Sequence, residues 1–394
     1  MKVCVFFSSS RVSVFLACFA FFVSAVNAQS FKVVHDFTGA ADGANPLNGL
    51  TMSSTGVMYG TTNLGGEYDN GAVFSLAAGK LTRIHSFESG KDGARPQSFL
   101  TQDKAGNLYG TTFAGGGYGD GTVYRISGTT ETVLYTFGSR LHDGSAPEAG
   151  LAIDSAGNLY GTTVSGGVSG HGTVFMLVKS ASGTYTEKIL HNFSGDPDGS
   201  GPVGGVTLDS LGNLYGTTPV GGAYGYGTVF ELKKATSWAE TILHSFHNLS
   251  DGATPYAGLI LGPSGSLLGA ATDGGQRGGG TVFQLTPSAG TWNFSVLTSV
   301  PGWGVSGSFR NLMFDGVNNT IYATTHCDGT HNSGTVYKLA LADGKWTYTL
   351  LYTFSGGNDG KYVFSNLVLS GGKLYGTSNI GGTEGKGVIF EVAP

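Results

Sequence analysis

The tetrapeptide Tyr-Gly-Thr-Thr, or a near relative of it, begins at Tyr59, Tyr109, Tyr160, Tyr215, Leu268, Tyr322 and Tyr375, at intervals of 50 to 55 residues. So even a return confines the chain to architectures made from copies of one supersecondary unit, stacked in a row or set around a ring. In its fullest form the unit reads Asn107-Leu108-Tyr109-Gly110-Thr111-Thr112, then Gly115-Gly116, then Gly121-Thr122-Val123-Tyr124.

Each copy divides into four short apolar runs separated by turn signals. In the third copy these are 150–154, 159–163, 172–177 and 187–193. Ser155-Ala156-Gly157-Asn158 separates the first two, and a glycine-rich loop, 164–171, separates the second from the third. Short runs rich in Val, Ile, Leu, Phe and Tyr, bounded by Gly, Asn, Asp and Pro, predict strands. Four such runs in seven copies predict an all-β fold: a seven-bladed β-propeller with four antiparallel strands per blade. A β-solenoid is the main rival, but the tight turns favour antiparallel neighbours.

The ends of the chain indicate how the ring closes. Residues Phe31-Lys32-Val33-Val34-His35-Asp36-Phe37 match the fourth run of other copies, such as Ile242-Leu243-His244-Ser245-Phe246. Val388-Ile389-Phe390-Glu391-Val392 matches the third run and has no fourth after it. Residues 31–37 are therefore expected to complete blade 7 as its outermost strand.

Residues 1–28 differ from all that follows, with Lys2 and Arg11 ahead of an apolar run from Val12 to Val26 and then Asn27-Ala28. This pattern predicts a secretory signal peptide cleaved after Ala28, leaving 29–394 as a single propeller domain in an extracellular or periplasmic location. Cys4 and Cys18 would leave with the signal, so Cys327 alone would remain and no internal disulfide is expected. Charged residues make up 12 % of the chain and the net charge is −5, which argues against nucleic acid or an anionic lipid surface as partner. A monomer with no membrane contact after cleavage is expected, its partner an extracellular glycan or a surface protein.

The combined pattern of Asn107 to Thr112, Gly115-Gly116, Gly172-Thr173-Val174-Phe175, Leu243-His244-Ser245-Phe246 and Asp251-Gly252 with Pro255 resembles the GloVer tandem-repeat family of exported proteins. The resemblance spans essentially all of 29–394. It implies a propeller architecture and an exported location, but no particular reaction. Members of that family carry one of several anchors; Val392-Ala393-Pro394 leaves no room for one, so free secretion or retention by a partner is expected.

In a propeller, the connections from second to third strand and from fourth strand to the next blade emerge on one face. That face would carry the Gly-Gly and Asp-Gly-x-x-Pro loops, and a ligand is expected there, around the channel mouth. Asp42, Asp92, Asp143, Asp198, Asp251 and Asp359 suggest ring-like cation sites, but Asp before Gly stabilises a turn by accepting backbone N–H bonds, and they are assigned to that structural role. His35, His85, His191 and His244 hold one position on four outer strands, too far apart to share an ion, and are assigned a structural hydrogen bond. The glycine pairs are not phosphate cradles, since no helix follows them and no Lys-Ser/Thr accompanies them.

The copy that breaks the pattern is the more informative one. Blade 6 has Gly304 and Ser308 where others have Asp and Pro, adds Trp303 and Arg310, and replaces the glycine pair by Asp328-Gly329 within His326-Cys327-Asp328-Gly329-Thr330-His331. Blade 5 adds Asp273, Gln276 and Arg277 at the corresponding loop. Asp273, Arg277, Trp303, Arg310, His326, Asp328 and His331 are the candidate ligand-binding residues. Their spacing matches no familiar zinc signature, so no metal or other cofactor is expected.

Two functions fit. The first is a binding or scaffold module for carbohydrate, with Trp303, Tyr68, Tyr118 and Tyr224 as stacking aromatics. The second is an extracellular carbohydrate-active hydrolase or lyase, which needs convergent acids from among Asp273, Asp328, Glu67, Asp69, Asp120, Glu148 and Glu384.

Overall fold

A computed structural model describes residues 30–301 and 312–394. The expected signal peptide, Trp303 and Arg310 lie outside the described residues. Seven four-stranded antiparallel sheets follow one another along the chain. Blade 1 consists of Thr51–Met52, Met58–Thr62, Ala72–Ala77 and Lys80–Ser86, from the channel outwards. Blades 2 to 6 repeat this order over 101–136, 152–192, 206–245, 260–301 and 313–353.

Blade 7 takes its inner three strands, Val368–Ser370, Lys373–Ser378 and Val388–Val392, from the end of the chain, and its outermost, Phe31–Asp36, from the beginning. Phe31 pairs with Val392 and Asp36 with Val388. The ring is thus closed by the expected strand. Phe31 stacks on Tyr352 of blade 6, with centroids 4.0 Å apart and planes 8° apart, and lies edge-on to Phe354.

The repeated hexapeptide is explained position by position. In blade 2, Asn107 Nδ2 and the Tyr109 hydroxyl both donate to Asp103 Oδ2, at 2.8 and 3.0 Å, which locks the tight turn. Asp154 and Asp209 do the same in blades 3 and 4. The Leu is buried. The Gly lies opposite the aromatic residue of the third strand: Gly161 pairs with Phe175, and a Cβ there would come within 2.6 Å of the Phe175 ring. Blade 6 alone carries Ala, Ala323, at this register, opposite Tyr337.

The two threonines work in different directions. The second binds within its blade, as Thr112 Oγ1 accepts the Thr122 N–H at 3.0 Å. The first crosses to the next blade and donates to a carbonyl beside the channel. Thr61 reaches Ser98, Thr111 reaches Ala149, Thr217 reaches Ala257 and Thr324 reaches Ser365, at 2.8 to 3.1 Å. Thr377 reaches Asn48 at 3.1 Å and so ties the last blade to the first. Blades 3 and 5 break the series, because the Thr162 hydroxyl is buried without a partner and Ala270 takes the position in blade 5.

The core lies between the blades. Tyr160, Val174 and Phe193 of blade 3 pack on Val206, Leu214, Phe230 and Leu232 of blade 4, with Trp238 at the margin. Each sheet is covered on both faces, which explains strands that are nearly continuously apolar instead of alternating. Among the described residues no helix is long and apolar enough to cross a membrane; the only helical pieces there are short 3-10 turns at Lys234–Thr236 and Pro263–Gly265.

Candidate functional site

The two sets of longer loops do share a face. Ala44 bridges Leu64, Ala94 bridges Ala114 and Ser200 bridges Val220, each joining the segment that leads into a blade to that blade's own glycine-pair loop. Both glycines of the pair adopt positive φ, as in Gly65 at +71° and Gly66 at +77°, so the loop folds tightly enough for the bridge. The residue at the loop's tip is then largely exposed. It is Tyr68 in blade 1, Tyr118 in blade 2 and Tyr224 in blade 4, exposed by 48, 63 and 54 %.

Among the described candidates on blades 5 and 6, Asp273, Asp328 and His326 each have their own partners. Asp273 accepts a hydrogen bond from the Thr254 hydroxyl. Asp328 is 7 % exposed, and its Oδ1 accepts the Gly329 N–H at 2.7 Å; burial raises its pKa against the effect of that bond. Arg277 and Asp328 both act on the Tyr348 phenol, whose pKa burial pushes up to about 12, with Asp328 adding and Arg277 opposing. His326 faces the other way. It stacks on Phe364 at 3.9 Å and lies 4.6 Å from the Tyr362 ring, at the start of blade 7, while Cys327 Sγ is 2.7 Å from its Nδ1. His331 stays exposed at the loop tip and contacts Thr330.

The acids that hydrolysis would need are likewise engaged separately. Glu67 pairs with Arg83 at 3.3 Å, Asp69 accepts the Gly65 N–H at 2.9 Å, and Asp120 accepts the Ser145 hydroxyl at 2.8 Å.

The recurring Asp and His, read separately in the sequence, are partners. Nε2 of His35, His85, His191 and His244 lies 3.1 to 3.3 Å from Oδ2 of Asp42, Asp92, Asp198 and Asp251. Tyr135 and Tyr352 take the His position in two other blades and donate to Asp143 and Asp359 at 2.9 Å. Each Asp also accepts the N–H of the residue four positions earlier, as in Thr38 to Asp42 and Ser194 to Asp198. The structural roles assigned to both residue types therefore hold, and they form one unit.

That unit meets the following blade through the residue four positions before the equivalent outer-strand position there, which is His244 in blade 4 and Thr298 in blade 5. Phe294 stacks on His244 at 3.8 Å and 6°, whereas Glu240 Oε1 approaches His191 to 3.7 Å. Burial, reinforced by the charge of Asp198, pushes the Glu240 pKa up to about 8. Burial pushes Glu131 up to about 7 beside His85 and Asp92, with His85 opposing and Asp92 adding. Two clusters of donor atoms result, each with all its atoms within 4.8 Å: His191, Asp198 and Glu240, and His244, His247 and Asp251. Sequence reasoning compared histidines between blades and so missed the second cluster. Its signal was the spacing His-x-x-His-x-x-x-Asp within one loop.

Among the described residues, two of the larger grooves open on the face of tight turns. One of about 570 Å³ is lined by Asp103, Lys104, Tyr109, Asp154 and Lys179, and one of about 600 Å³ by Ser53, Thr55, Tyr59 and Gln102. The channel holds about 410 Å³ between apolar residues that include Leu259, Leu312, Phe314 and Leu367. A separate small cavity of about 10 Å³ is lined by Asn48, Phe99, Glu148 and Tyr256.

The sheet order, the closing strand and the stitches between blades define a seven-bladed β-propeller repeat protein. The chain belongs to the Gloeobacter/Verrucomicrobia repeat family, which matches it over residues 20–153, 54–262 and 257–394. No curated protein matches it by sequence. Among solved structures it is similar to one assigned as a 6-phosphogluconolactonase from Bacteroides uniformis, at 14 % identity and a TM-score of 0.54, covering 83 % of this chain and 88 % of that one. It is also similar to a gluconolactonase from Xanthomonas campestris, at 11 % identity and TM-score 0.45 over 93 and 89 % of the two chains. A PQQ-bound aldose sugar dehydrogenase from Streptomyces coelicolor gives 13 % and 0.45 over 76 and 93 %. At such identities the likeness concerns the fold alone.

Proposed function

We propose that this protein is an exported propeller that binds saccharide on its glycine-rich face, through the tyrosines at the loop tips. The observation that carries the reading is the exposure of Tyr68, Tyr118 and Tyr224 at one equivalent position of three blades. The scaffold does not need an aromatic there, since blades 3, 5, 6 and 7 have Ser169, Arg277, His331 and Glu384 at the same place. An exposed Tyr offers an apolar ring to the C–H face of a sugar and a hydroxyl to its edge. A surface of low charge suits a neutral ligand better than an ionic one. The binding reading is favoured over hydrolysis or elimination because Asp69, Asp120, Asp273 and Asp328 on this face are each engaged by a separate scaffold donor.

Calorimetric titration of the protein with a panel of soluble neutral and acidic polysaccharides tests the reading. Saturable heat without release of reducing or unsaturated ends is expected. Absence of binding across the panel would refute the saccharide assignment, and product release would favour an enzyme.

A further inference from the structure

The loop that leaves the outer strand of blade 4 departs from its counterparts in one side chain. In four other copies the Asp of the turn accepts a hydroxyl from the residue four positions before it: Thr38 on Asp42, Ser139 on Asp143, Ser194 on Asp198 and Ser355 on Asp359, while Glu88 before Asp92 offers only its backbone N–H. In blade 4 that residue is His247. Its backbone N–H still caps Asp251 at 3.1 Å, so the turn is made as elsewhere, and the imidazole is surplus to it.

The surplus imidazole comes to lie beside the one already present. His244 Nε2 and His247 Nδ1 are each 3.1 Å from Asp251 Oδ2, and all three donor atoms lie within 4.8 Å of one another. A tetrahedral zinc ion with bonds of roughly 2.0–2.1 Å sets its donors about 3.3 Å apart, so little movement is needed to receive one. Both rings are held in place from behind. His244 lies flat on Phe294 at 3.8 Å and 6°, and His247 leans on Tyr224 at 3.8 Å and 33°.

We propose that His244, His247 and Asp251 bind a divalent transition-metal ion. Two nitrogens and one carboxylate select zinc, nickel or copper over calcium or magnesium, which prefer all-oxygen sites. The His247 side chain is 42 % exposed, against 16 and 15 % for His244 and Asp251, so the ion enters from the loop face and keeps a position open to solvent. The site shares Tyr224 with the proposed saccharide face, but its readout is the ion itself.

The test is a titration of the full, untagged chain with Zn²⁺ by calorimetry after treatment with chelator, repeated with Co²⁺ and read in the visible spectrum. One ion per chain is expected, with the intense absorption of tetrahedral cobalt. His247→Ser restores the hydroxyl that other blades use, so it should keep the melting temperature of the chelated wild type yet weaken the ion by at least about tenfold. His191→Ala, at the other cluster, should leave the affinity unchanged. No saturable binding up to millimolar Zn²⁺, undiminished binding in His247→Ser, or loss of binding in His191→Ala would each overturn the proposal.

Discussion

The Thr377 hydroxyl donates a hydrogen bond to the Asn48 carbonyl at 3.1 Å, joining the second strand of the last blade to the segment that leads into the first. The two residues are 329 positions apart in the chain, yet this is the same bond that joins neighbouring blades elsewhere in the ring. Replacing Thr377 by Val keeps the shape and leaves the buried Asn48 carbonyl without that donor, at a cost of about 1–2 kcal/mol. Thr162→Val is the internal control. It removes a hydroxyl that has no partner and should be neutral or slightly stabilising. Urea unfolding of both variants measures the difference; equal losses would show that the stitch carries no stability.

The closing strand makes a larger contribution. Phe31 fills a site formed by Tyr352, Phe354 and Phe390, and Phe37 is fully buried against Phe74. Each such side chain contributes roughly 1.5–3 kcal/mol by burial. A chain lacking residues 30–37 would also expose the edge of Val388–Val392 to pairing with other chains. Light scattering and thermal melts should show aggregation and a fall in melting temperature, with Phe31→Ala intermediate. A shortened chain that melts with the wild type would contradict ring closure.

Glu240 gives the ring a dependence on pH. Its folded-state pKa is raised to about 8, so between the ordinary carboxylate range and that value the folded protein holds a proton which the unfolded chain has released. Stability therefore falls as pH rises through this window. Glu240→Gln mimics the neutral acid beside His191 and Asp198. It should match the wild type near pH 5 and exceed it above pH 8 by on the order of 2 kcal/mol. Glu131→Gln should behave likewise, with its window ending near 7. Urea unfolding at the two pH values checks this; identical pH slopes for wild type and variants would show that Glu240 is ionised in the fold.

The ring could be read from the sequence because repetition multiplies a weak signal. One run such as Leu159 to Thr163 is ambiguous, but seven in register, with one strand missing at the end and one spare at the beginning, leave few alternatives. What stayed hidden depends on which faces meet. His35 and Asp42 each looked structural, but their bond crosses from a strand to a loop. The approach of Glu240 to His191 needs the packing of two blades. Asp273 and Asp328 stood out as departures from the repeat, but the Thr254 hydroxyl ties Asp273 to the segment entering the blade and the Gly329 N–H holds Asp328 in its own turn, a detail that loop composition does not encode.

The central claim concerns the tyrosines that the scaffold leaves in solvent. Calorimetric titration of one bound polysaccharide against the wild type, Tyr118→Ala, and the combined Tyr68→Ala, Tyr118→Ala and Tyr224→Ala variant tests it most directly. The account predicts a loss of roughly tenfold for the single variant, in line with about 1–1.5 kcal/mol for one aromatic contact, and no measurable binding for the triple variant, with melting temperatures unchanged. Full affinity in a folded triple variant would contradict it.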